Sequence, residues 1–372
     1  MSIYSRDAPV AGPGRFFGRD VLVRSVVAGV QQGRSFAICG GPKTGRTSIL
    51  DQVTGLVEQR WHREPRALKT VPVRLDLADL HVGGPKMLAK QLWAKMRDAV
   101  LSPRVFGDGK PIMSVEPDFA RASDPWVIFV QGCEDLWTDL GGTSGWCNWT
   151  LILDNGDFLL GHKLNSVLEP LSWMVQSKVS GTPSSLVITI GRAMRERLRE
   201  RRSPLRWLRL ALLGPFRDAE AEALVRSGFP KAQTPWLRKI YSLTGKHPHL
   251  LQNLLSLMET ASLDLDQAAA ELEPIAHQMF ETVWSEIDLD RGVTYRGAYA
   301  APEHALMQYA LDVGGEIDLR RAERDLGIKP LTEFAQMFEY LGVMEKVLRQ
   351  DSPVYLASCQ LFNRWYADRV LR

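Results

Sequence analysis

Between residues 16 and 211, apolar residues follow two alternating spacings. Short apolar runs predict buried strands, whereas apolar residues that recur every three or four positions predict the buried faces of helices. Strands that alternate with helices along a chain favour an α/β fold with a doubly wound parallel sheet. The predicted strands are residues 36–39, 71–77, 149–154 and 185–190, and the predicted helices include residues 49–57 and 84–100.

The second half of the chain has a helical pattern that changes its rhythm near residue 302. From there, three predicted helices precede two short strands joined by a turn, an order typical of a winged helix. The predicted helices are residues 218–225, 235–243, 249–258, 302–313, 319–326 and 331–341, the strands are residues 343–348 and 354–357, and a final helix carries Leu361, Phe362 and Trp365.

A glycine-rich turn at residues 40–48 connects the first predicted strand to the next helix, with the G-x-x-x-x-G-K-[ST] spacing of a phosphate loop and Arg46 in place of lysine. Glycines let the backbone wrap around a phosphate with its N–H groups inward, and the helix directs its positive end at the anion. The turn therefore predicts ATP or GTP binding, against the alternative of a surface turn. The predicted phosphate-binding residues are Gly40, Gly41, Pro42, Lys43, Thr44, Gly45, Arg46, Thr47 and Ser48.

An aspartate, Asp154, ends the predicted strand at residues 149–154. In a parallel α/β sheet the carboxyl ends of the strands line the ligand crevice, where a carboxylate can hold Mg²⁺ through water. The predicted metal ligands are therefore the hydroxyl of Thr47 and the carboxylate of Asp154. Asp154 and Asn155 form the candidate catalytic pair, and Asp76 is interpreted as an ordinary turn residue.

The order and spacing of five motifs resemble the STAND group, the signalling branch of the AAA+ ATPases. Residues 40–47 resemble its Walker A motif and residues 151–157 its Walker B motif. Residues 16–20 are similar to the motif that contacts adenine, residues 189–192 to a strand-end sensor whose arginine reads the γ-phosphate, and residues 245–248 to a lid motif whose proline packs on the base. Besides the phosphate loop, this resemblance assigns nucleotide binding to Phe17, Gly18, Arg19, Arg192, His247 and Pro248.

Three positions depart from the pattern of that group. Arg46 keeps the charge of the Walker A lysine but replaces a compact ammonium with a broad planar fork. Asn155 stands where Walker B has a glutamate, and asparagine cannot take the proton that a general base accepts, a role typically worth about 10²–10⁴-fold in rate. Lys246 fills a glycine-like position of the lid motif. The sequence therefore predicts nucleotide binding with slow or absent hydrolysis, so at most a weak ATPase.

The resemblance implies a switch in which bound ATP or ADP, with Mg²⁺, fixes the lid and the winged helix in one arrangement. A protein partner is expected to carry the output, and a homo-oligomer is also expected to be compatible with the fold. Two alternatives stay open: an active oligomeric AAA+ ATPase that remodels DNA or protein, and a scaffold that binds no nucleotide. The predicted domains are a lead-in at residues 1–15, a P-loop domain at residues 16–211 with a tryptophan-rich insertion at about residues 102–150, a helical lid at residues 212–275 and a winged helix at residues 276–372.

Composition limits the remaining functions. The chain is 45% hydrophobic and 24% charged, which is typical of a folded globular protein. It has no apolar stretch long enough to cross a bilayer, so a cytoplasmic protein without a membrane partner is expected. The 4 cysteines contain no C-x-x-C pair that would predict zinc, and a net charge of +3 does not by itself indicate nucleic acid.

Two segments invite a nucleic-acid interpretation. The arginine-rich stretch at residues 192–209 favours a solvated helix face, with Glu196 and Glu200 as ion-pair partners, over a nucleic-acid surface. On the predicted reading helix of the winged helix, Glu333 and Glu339 would repel phosphates. The sequence therefore favours a protein-binding winged helix, with nucleic acid as the less favoured partner.

Overall fold

The computed structural model divides into two compact units. The first contains Met1–Arg19, Gly40–Ser48 and Leu212–Arg372, and the second contains Asp20–Cys39 and Ile49–Ala211. The predicted domain boundaries stay a prediction. The structure describes residue 4 and residues 16–63, 69–79, 84–101, 116–139, 147–161, 167–177, 184–289, 302–349 and 352–370.

A five-stranded sheet forms the α/β core. Its strands are β1 Phe36–Gly40, β2 Lys69–Asp76, β3 Cys147–Asp154, β4 Ser185–Ile190 and β5 Arg209–Leu213. Their order across the sheet is β2-β3-β4-β1-β5, and the pairs β2 with β3, β3 with β4 and β1 with β4 are parallel. Cys39 pairs with Ile190, and Leu153 with Ile188, so the carboxyl ends of β1, β3 and β4 meet at one edge. The predicted fold class is confirmed.

Within the described residues, six helices precede or connect these strands. They are α1 Asp20–Gln31, α2 Arg46–Arg63, α3 Gly84–Leu101, α4 Pro125–Asp139, α5 Leu168–Ser177 and α6 Arg192–Arg199. The stripe predicted for α2 is buried at Ile49, Leu50, Val53 and Val57. β1 and β4 are buried along their whole length, which is the pattern of strands covered on both faces.

Helix α4 corrects the prediction of an irregular insertion. The Asp124 carboxylate accepts the N–H of Trp126 over 2.8 Å, and Pro125 opens the helix, where its missing N–H costs nothing. Phe129, Cys133 and Leu136 then recur at helical spacing and are buried. The tryptophans and prolines around this segment obscured that spacing. The rest of the predicted insertion, residues 102–115 and 140–146, lies outside the described residues.

The arginine-rich stretch is only partly a helix. Helix α6 ends at Arg199, the next residues form turns, and strand β5 begins at Arg209. The two ion pairs expected on the helix are present: Arg199 lies 3.8 Å from Glu196, and Arg197 pairs with Glu200. The expectation of a single helix face was wrong beyond residue 199, where Pro204 cannot continue a helix.

The first unit contains the remaining helices and a small antiparallel sheet. Gly245, at a left-handed φ of 60°, ends one helix, and Pro248 opens the next. The elements are α7 Asp218–Gly228, α8 Thr234–Thr244, α9 Pro248–Thr260, α10 Leu265–Leu289, α11 Pro302–Asp312, β6 Glu316–Ile317, α12 Leu319–Leu326, α13 Thr332–Tyr340, β7 Glu345–Arg349, β8 Ser352–Leu356 and α14 Gln360–Val370.

Residues 302–370 form the C-terminal module, and all the elements predicted for it are present. A short strand not predicted, β6, extends the hairpin to a three-stranded sheet in the order β6-β8-β7. Aromatic rings join α10 to α14, with the centroids of Phe280 and Phe362 5.1 Å apart and those of Trp284 and Trp365 6.1 Å apart. Across the described ranges, no helix is long and apolar enough to span a membrane.

Candidate functional site

The phosphate loop, Gly40–Ser48, has the backbone that a tight anion-binding turn needs. Lys43 and Gly45 have left-handed φ values of 60° and 96°, and α2 begins at Arg46. The first N–H groups of a helix have no partner inside it, so the positive end of α2 lies at the end of this loop. The side chain of Lys43 is exposed, whereas that of Arg46 is half-buried.

Close contacts at the start of the loop require glycine. A β-carbon on Gly40 would lie 2.4 Å from Thr44 Oγ1 and 2.9 Å from Leu213 Cβ. The buried Thr44 hydroxyl donates to the carbonyl of Gly41 over 2.8 Å, which closes the turn. These contacts stabilise the curvature of the loop.

The C-terminal module also contacts the phosphate loop within the first unit. The N–H of Gly41 donates to the carbonyl of Tyr340 over 3.1 Å. A β-carbon on Gly41 would lie 2.9 Å from the Cα of Leu341, so only glycine permits this approach. The bond uses one N–H group at the start of the loop and none of those from Gly45 onward.

Arg19, predicted to contact adenine, is bound to the segment that leads into α7. Its guanidinium donates to the carbonyls of residues 214–215, lies 3.9 Å from Glu220 and covers the Phe216 ring at 5.2 Å. Burial lowers the pKa of Arg19 below its usual value, and Glu220 opposes that shift. Gly18 has a left-handed φ of 69°, and a β-carbon there would lie 2.9 Å from Glu220. This motif therefore has a structural role in the first unit.

His247 is a buried imidazole beside the phosphate loop. It precedes α9, and a β-carbon on Gly342 would lie 2.5 Å from its Cδ2. Burial lowers the pKa of His247 to about 3, the charges of His249 and Arg19 add to this, and the backbone of Pro42 opposes it. Among the described residues, neither ring nitrogen has a partner with hydrogen-bonding geometry. The ring is neutral and keeps unused hydrogen-bonding capacity.

We expect His247 to make the stability of the protein depend on pH. Its pKa is about 3 in the folded chain, against 6.5 in a model peptide. Between these values only the unfolded chain takes up the proton, so stability falls with falling pH by up to about 1.4 kcal/mol per unit. From pH 7 to pH 5 the wild type should lose roughly 2 kcal/mol more of its free energy of unfolding than His247→Gln, as measured by urea denaturation.

The matched control for that experiment is His277→Gln, because the His277 side chain is 43% exposed. That variant should keep the pH dependence of the wild type. Parallel pH profiles of wild type and His247→Gln would contradict the assignment of a buried, neutral imidazole.

Lys246, which departs from the lid motif of the STAND group, is a buried lysine that forms two ion pairs. Its side chain is only 8% exposed, and its ammonium lies 2.7 Å from Asp218 on α7 and 2.6 Å from Glu345 on β7. A β-carbon on the preceding Gly245 would lie 2.6 Å from Cys359 Cβ. The turn at residues 245–247 therefore connects the predicted lid to the C-terminal module.

In the second unit, Asp154 is a buried carboxylate with several partners. The hydroxyl of Thr189 donates to its Oδ1. The guanidinium of Arg74 lies 3.4 Å from its Oδ2 and also pairs with Asp51 on α2. Asp154 is 1% exposed, so Arg74 supplies the positive charge that a buried carboxylate requires.

Asn155 is held in a left-handed conformation at φ 56° by two strand ends. Its N–H donates to Thr189 Oγ1 over 2.9 Å, and its side-chain amide donates to Asp76 Oδ1 over 2.8 Å. Asp76 also accepts the N–H of Ala78 over 2.9 Å, so it is a turn residue that orients Asn155 as well. Asparagine here is an oriented donor and has no basic group.

Arg192 is the first residue of α6, and Asp157 fixes the start of that helix. The Asp157 carboxylate accepts the N–H of Gly191 and, over 3.2 Å, that of Met194. A β-carbon on Gly191 would lie 2.9 Å from Asp157 Oδ2. This carboxylate stabilises the helix start in the way of a capping side chain.

The donor set at Asp154 suits a water-mediated contact to Mg²⁺ better than direct coordination. Its Oδ1 accepts from Thr189 and, over 3.0 Å, from the N–H of Asn155, while Oδ2 faces Arg74. The parts of the chain that the structure describes hold no cluster of three or more His, Cys, Asp or Glu suited to a metal. Mg²⁺ keeps several waters and often takes only one or two protein ligands. Thr47 stays the predicted direct ligand.

Three residues important to the geometry were not predicted from the sequence: Arg74, Thr189 as the partner of Asp154, and Lys246 as an ion-pair centre. Phe17, Pro42, Thr47 and Arg192 are half-buried, whereas Gly18, Ser48 and Pro248 are buried.

No protein-family model and no curated protein matches the chain. Among solved structures, the Walker-type ATPase paby2304 of Pyrococcus abyssi superposes with a TM-score of 0.63 at 13% identity, covering 98% of this chain and 99% of that one. The ORC2 protein of Aeropyrum pernix, in ADPNP-ADP complexes, superposes with a TM-score of 0.52 at 11% identity, covering 100% and 98%. The chain therefore shares the fold of a Walker-type ATPase and of an ORC2 protein. At these identities, the likeness to that fold shows architecture alone.

Proposed function

We propose that the protein is a nucleotide-binding switch of the STAND type within the AAA+ fold, binding ATP or ADP at the phosphate loop. The conformation of that loop carries the proposal. It follows the buried strand β1, turns through left-handed Lys43 and Gly45, and leads into the amino end of α2. Such a turn presents backbone N–H groups and a helix dipole to an anion. The buried, neutral imidazole of His247 lies beside the same loop, near the backbone of Pro42.

The contacts of the C-terminal module support a switch. Gly41 in the phosphate loop bonds to Tyr340, and Lys246 in the predicted lid pairs with Glu345. A ligand that changes the loop or the lid would therefore change contacts made by this module. A ligand shifts an equilibrium only by its differential affinity for the two states, so the proposal requires that these contacts differ between the nucleotide-bound and nucleotide-free states. In this proposal a protein partner binds one position of the C-terminal module in preference to the other.

The surroundings of Asn155 support slow hydrolysis. An enzyme that activates water for attack on phosphate uses a residue that accepts a proton or orients the water. The Asn155 side-chain amide is turned to Asp76, 2.8 Å away, and asparagine is no base. We therefore place the active oligomeric ATPase second, because it needs a base that this position does not provide.

Nucleotide recovered from untreated protein, together with melting temperatures, tests this function. We expect heat-denatured protein to release ADP or ATP, and nucleotide-free protein to melt higher when either is added. At a hundred times its dissociation constant, a ligand adds about 2.7 kcal/mol to stability. Arg46→Glu should abolish the shift, whereas Lys43→Glu, the same charge reversal at an exposed position of the loop, should retain most of it. Empty protein with no nucleotide-dependent shift would favour the scaffold instead.

A further inference from the structure

We propose that an arginine-rich surface of the second unit binds single-stranded nucleic acid. The arginine surface consists of Arg34, Arg201, Arg202, Arg206 and Arg209, all of which are exposed. It does not depend on nucleotide binding at the phosphate loop, so either proposal can fail while the other stands.

The positive charge of the arginine surface is not balanced by acidic residues in the segment that carries most of it. From residue 201 to residue 213 the chain has four arginines and no acidic residue. The arginines just before it differ, because Arg197 and Arg199 pair with glutamates of their own helix. Within the described ranges, the structure shows no carboxylate within ion-pair distance of the guanidinium groups of the arginine surface. Unpaired arginines concentrate positive potential, which attracts polyanions.

The backbone that carries these arginines is ordered by its own turns. The N–H of Ser203 donates to the carbonyl of Glu200 over 3.0 Å, and that of Arg206 donates to Ser203 over 3.3 Å. The Arg206 guanidinium donates to the Arg201 carbonyl over 3.0 Å. A surface that is already ordered loses less conformational entropy when it binds.

The surface is anchored at the amino edge of the sheet. The N–H of Arg209 donates over 3.1 Å to the carbonyl of Ser35, the residue just before β1, which also brings Arg34 to this edge. Asp154, by contrast, is the last residue of β3, and Gly191 follows the carboxyl end of β4. The arginine surface is therefore at the opposite edge of the second unit from those motifs.

Two tryptophans, Trp207 within the arginine-bearing segment and Trp173 on α5, point to unpaired bases as the ligand. The indole N–H of Trp207 donates to Ser172 Oγ over 2.9 Å and to the Pro204 carbonyl over 2.8 Å, which joins this segment to α5. The next residue of α5, Trp173, is 53% exposed. The exposed Trp173 provides a stacking platform for bases, and the arginines of the segment joined to α5 supply positive charge for the backbone phosphates.

The neighbouring acidic residues and the type of cation also favour nucleic acid over an acidic protein. Glu196 and Glu200 are neutralised by ion pairs with Arg199 and Arg197 of the same segment. The acidic residue nearest in sequence to Trp173 is Glu169, on the same helix. All five cations of the surface are arginine. The guanidinium fork binds phosphate bidentately and stacks on planar rings, which an ammonium does not do.

Fluorescence anisotropy with full-length protein tests the proposal. The probes are fluorescein-labelled 20-residue oligothymidylate and oligouridylate, a 20-base-pair DNA duplex, and polyglutamate as a competitor. The triple variant R201A/R202A/R209A should weaken single-strand binding at least tenfold and lower the slope of log K against log salt by about 2, since each phosphate contact contributes about 0.7. Trp173→Ala should weaken binding roughly tenfold without changing that slope.

The matched control is R320A/R321A/R324A, which removes three arginines from α12 of the C-terminal module. It should change the affinity less than twofold, and both triple variants should melt as the wild type does. The proposal is overturned if the wild type does not bind single strands, or if the α12 variant loses affinity while R201A/R202A/R209A does not. Duplex binding as tight as single-strand binding, or equal displacement by polyglutamate, would also overturn it.

Discussion

Arg74→Ala should lower the free energy of unfolding by about 2–3 kcal/mol, because it removes the cation that pairs with buried Asp154. Asp154 is 1% exposed, and Arg74 lies 3.4 Å from its Oδ2. Breaking a fully buried pair costs about 3–5 kcal/mol, and the lower figure applies here because the Arg74 side chain is 28% exposed. Urea denaturation followed by circular dichroism measures the loss.

A double-mutant cycle distinguishes this ion pair from general damage to β2. Asp154→Asn combined with Arg74→Ala removes the fully buried carboxylate together with its cation and deprives only the half-buried Asp51 of that ion pair, so the double variant should recover at least 1 kcal/mol relative to the sum of the single variants. Arg24→Ala, at an exposed position on α1, should cost less than about 0.5 kcal/mol. Additive losses in the cycle would show that the pair between Arg74 and Asp154 contributes nothing of its own.

Arg46→Lys combined with Asn155→Glu should raise ATP hydrolysis by about 10²-fold or more over a slow wild type. Lysine returns a compact ammonium to the phosphate loop, and glutamate returns a base next to Asp154. Steady-state phosphate release with saturating ATP and Mg²⁺ measures the gain. A scaffold without a nucleotide site would gain nothing from the two changes.

The controls for that experiment follow from the contacts of Asn155. Asn155→Gln keeps an amide and should leave the rate at the level of the wild type. Glutamate at a left-handed φ of 56°, near Asp76, is expected to cost about 1–3 kcal/mol, so the melting temperature of each variant must be compared. A double variant that is folded, binds ATP and still hydrolyses it at the wild-type rate would refute the role assigned to Asn155.

The sequence was most informative where the local structure is determined by residues that are adjacent in the sequence. The phosphate loop is a local motif, so its glycines and the presence of a helix after it could be predicted directly, whereas the helix begins at Arg46, three residues before the predicted range 49–57. Strand β4 was predicted with the bounds the structure gives, because its apolar run is continuous and flanked by turn residues. Strand β5 was missed because it lies at the sheet edge with Leu210 and Leu212 exposed, so its leucines do not follow a burial pattern.

Charged pairs between distant segments could not be predicted. Arg74 and Asp154 are 80 residues apart in the sequence, and Lys246 and Asp218 are 28 apart. The alternation of β2 places Arg74 opposite the buried Val73 and Leu75, but only the pairing of β2 with β3 identifies Asp154 as its partner. Periodicity describes which face of an element is buried, and it carries no information on which strands pair.

Calorimetric titration of ADP and ATP into nucleotide-free, full-length protein is the decisive test of nucleotide binding at the phosphate loop. We predict one site per chain with a dissociation constant of about 1 μM or tighter, equivalent to about 8 kcal/mol of binding free energy. The Arg46→Glu variant should show no binding at the same concentrations, and Lys43→Glu should bind nearly as the wild type does. Wild-type protein that is folded and nucleotide-free and binds neither nucleotide would contradict the account.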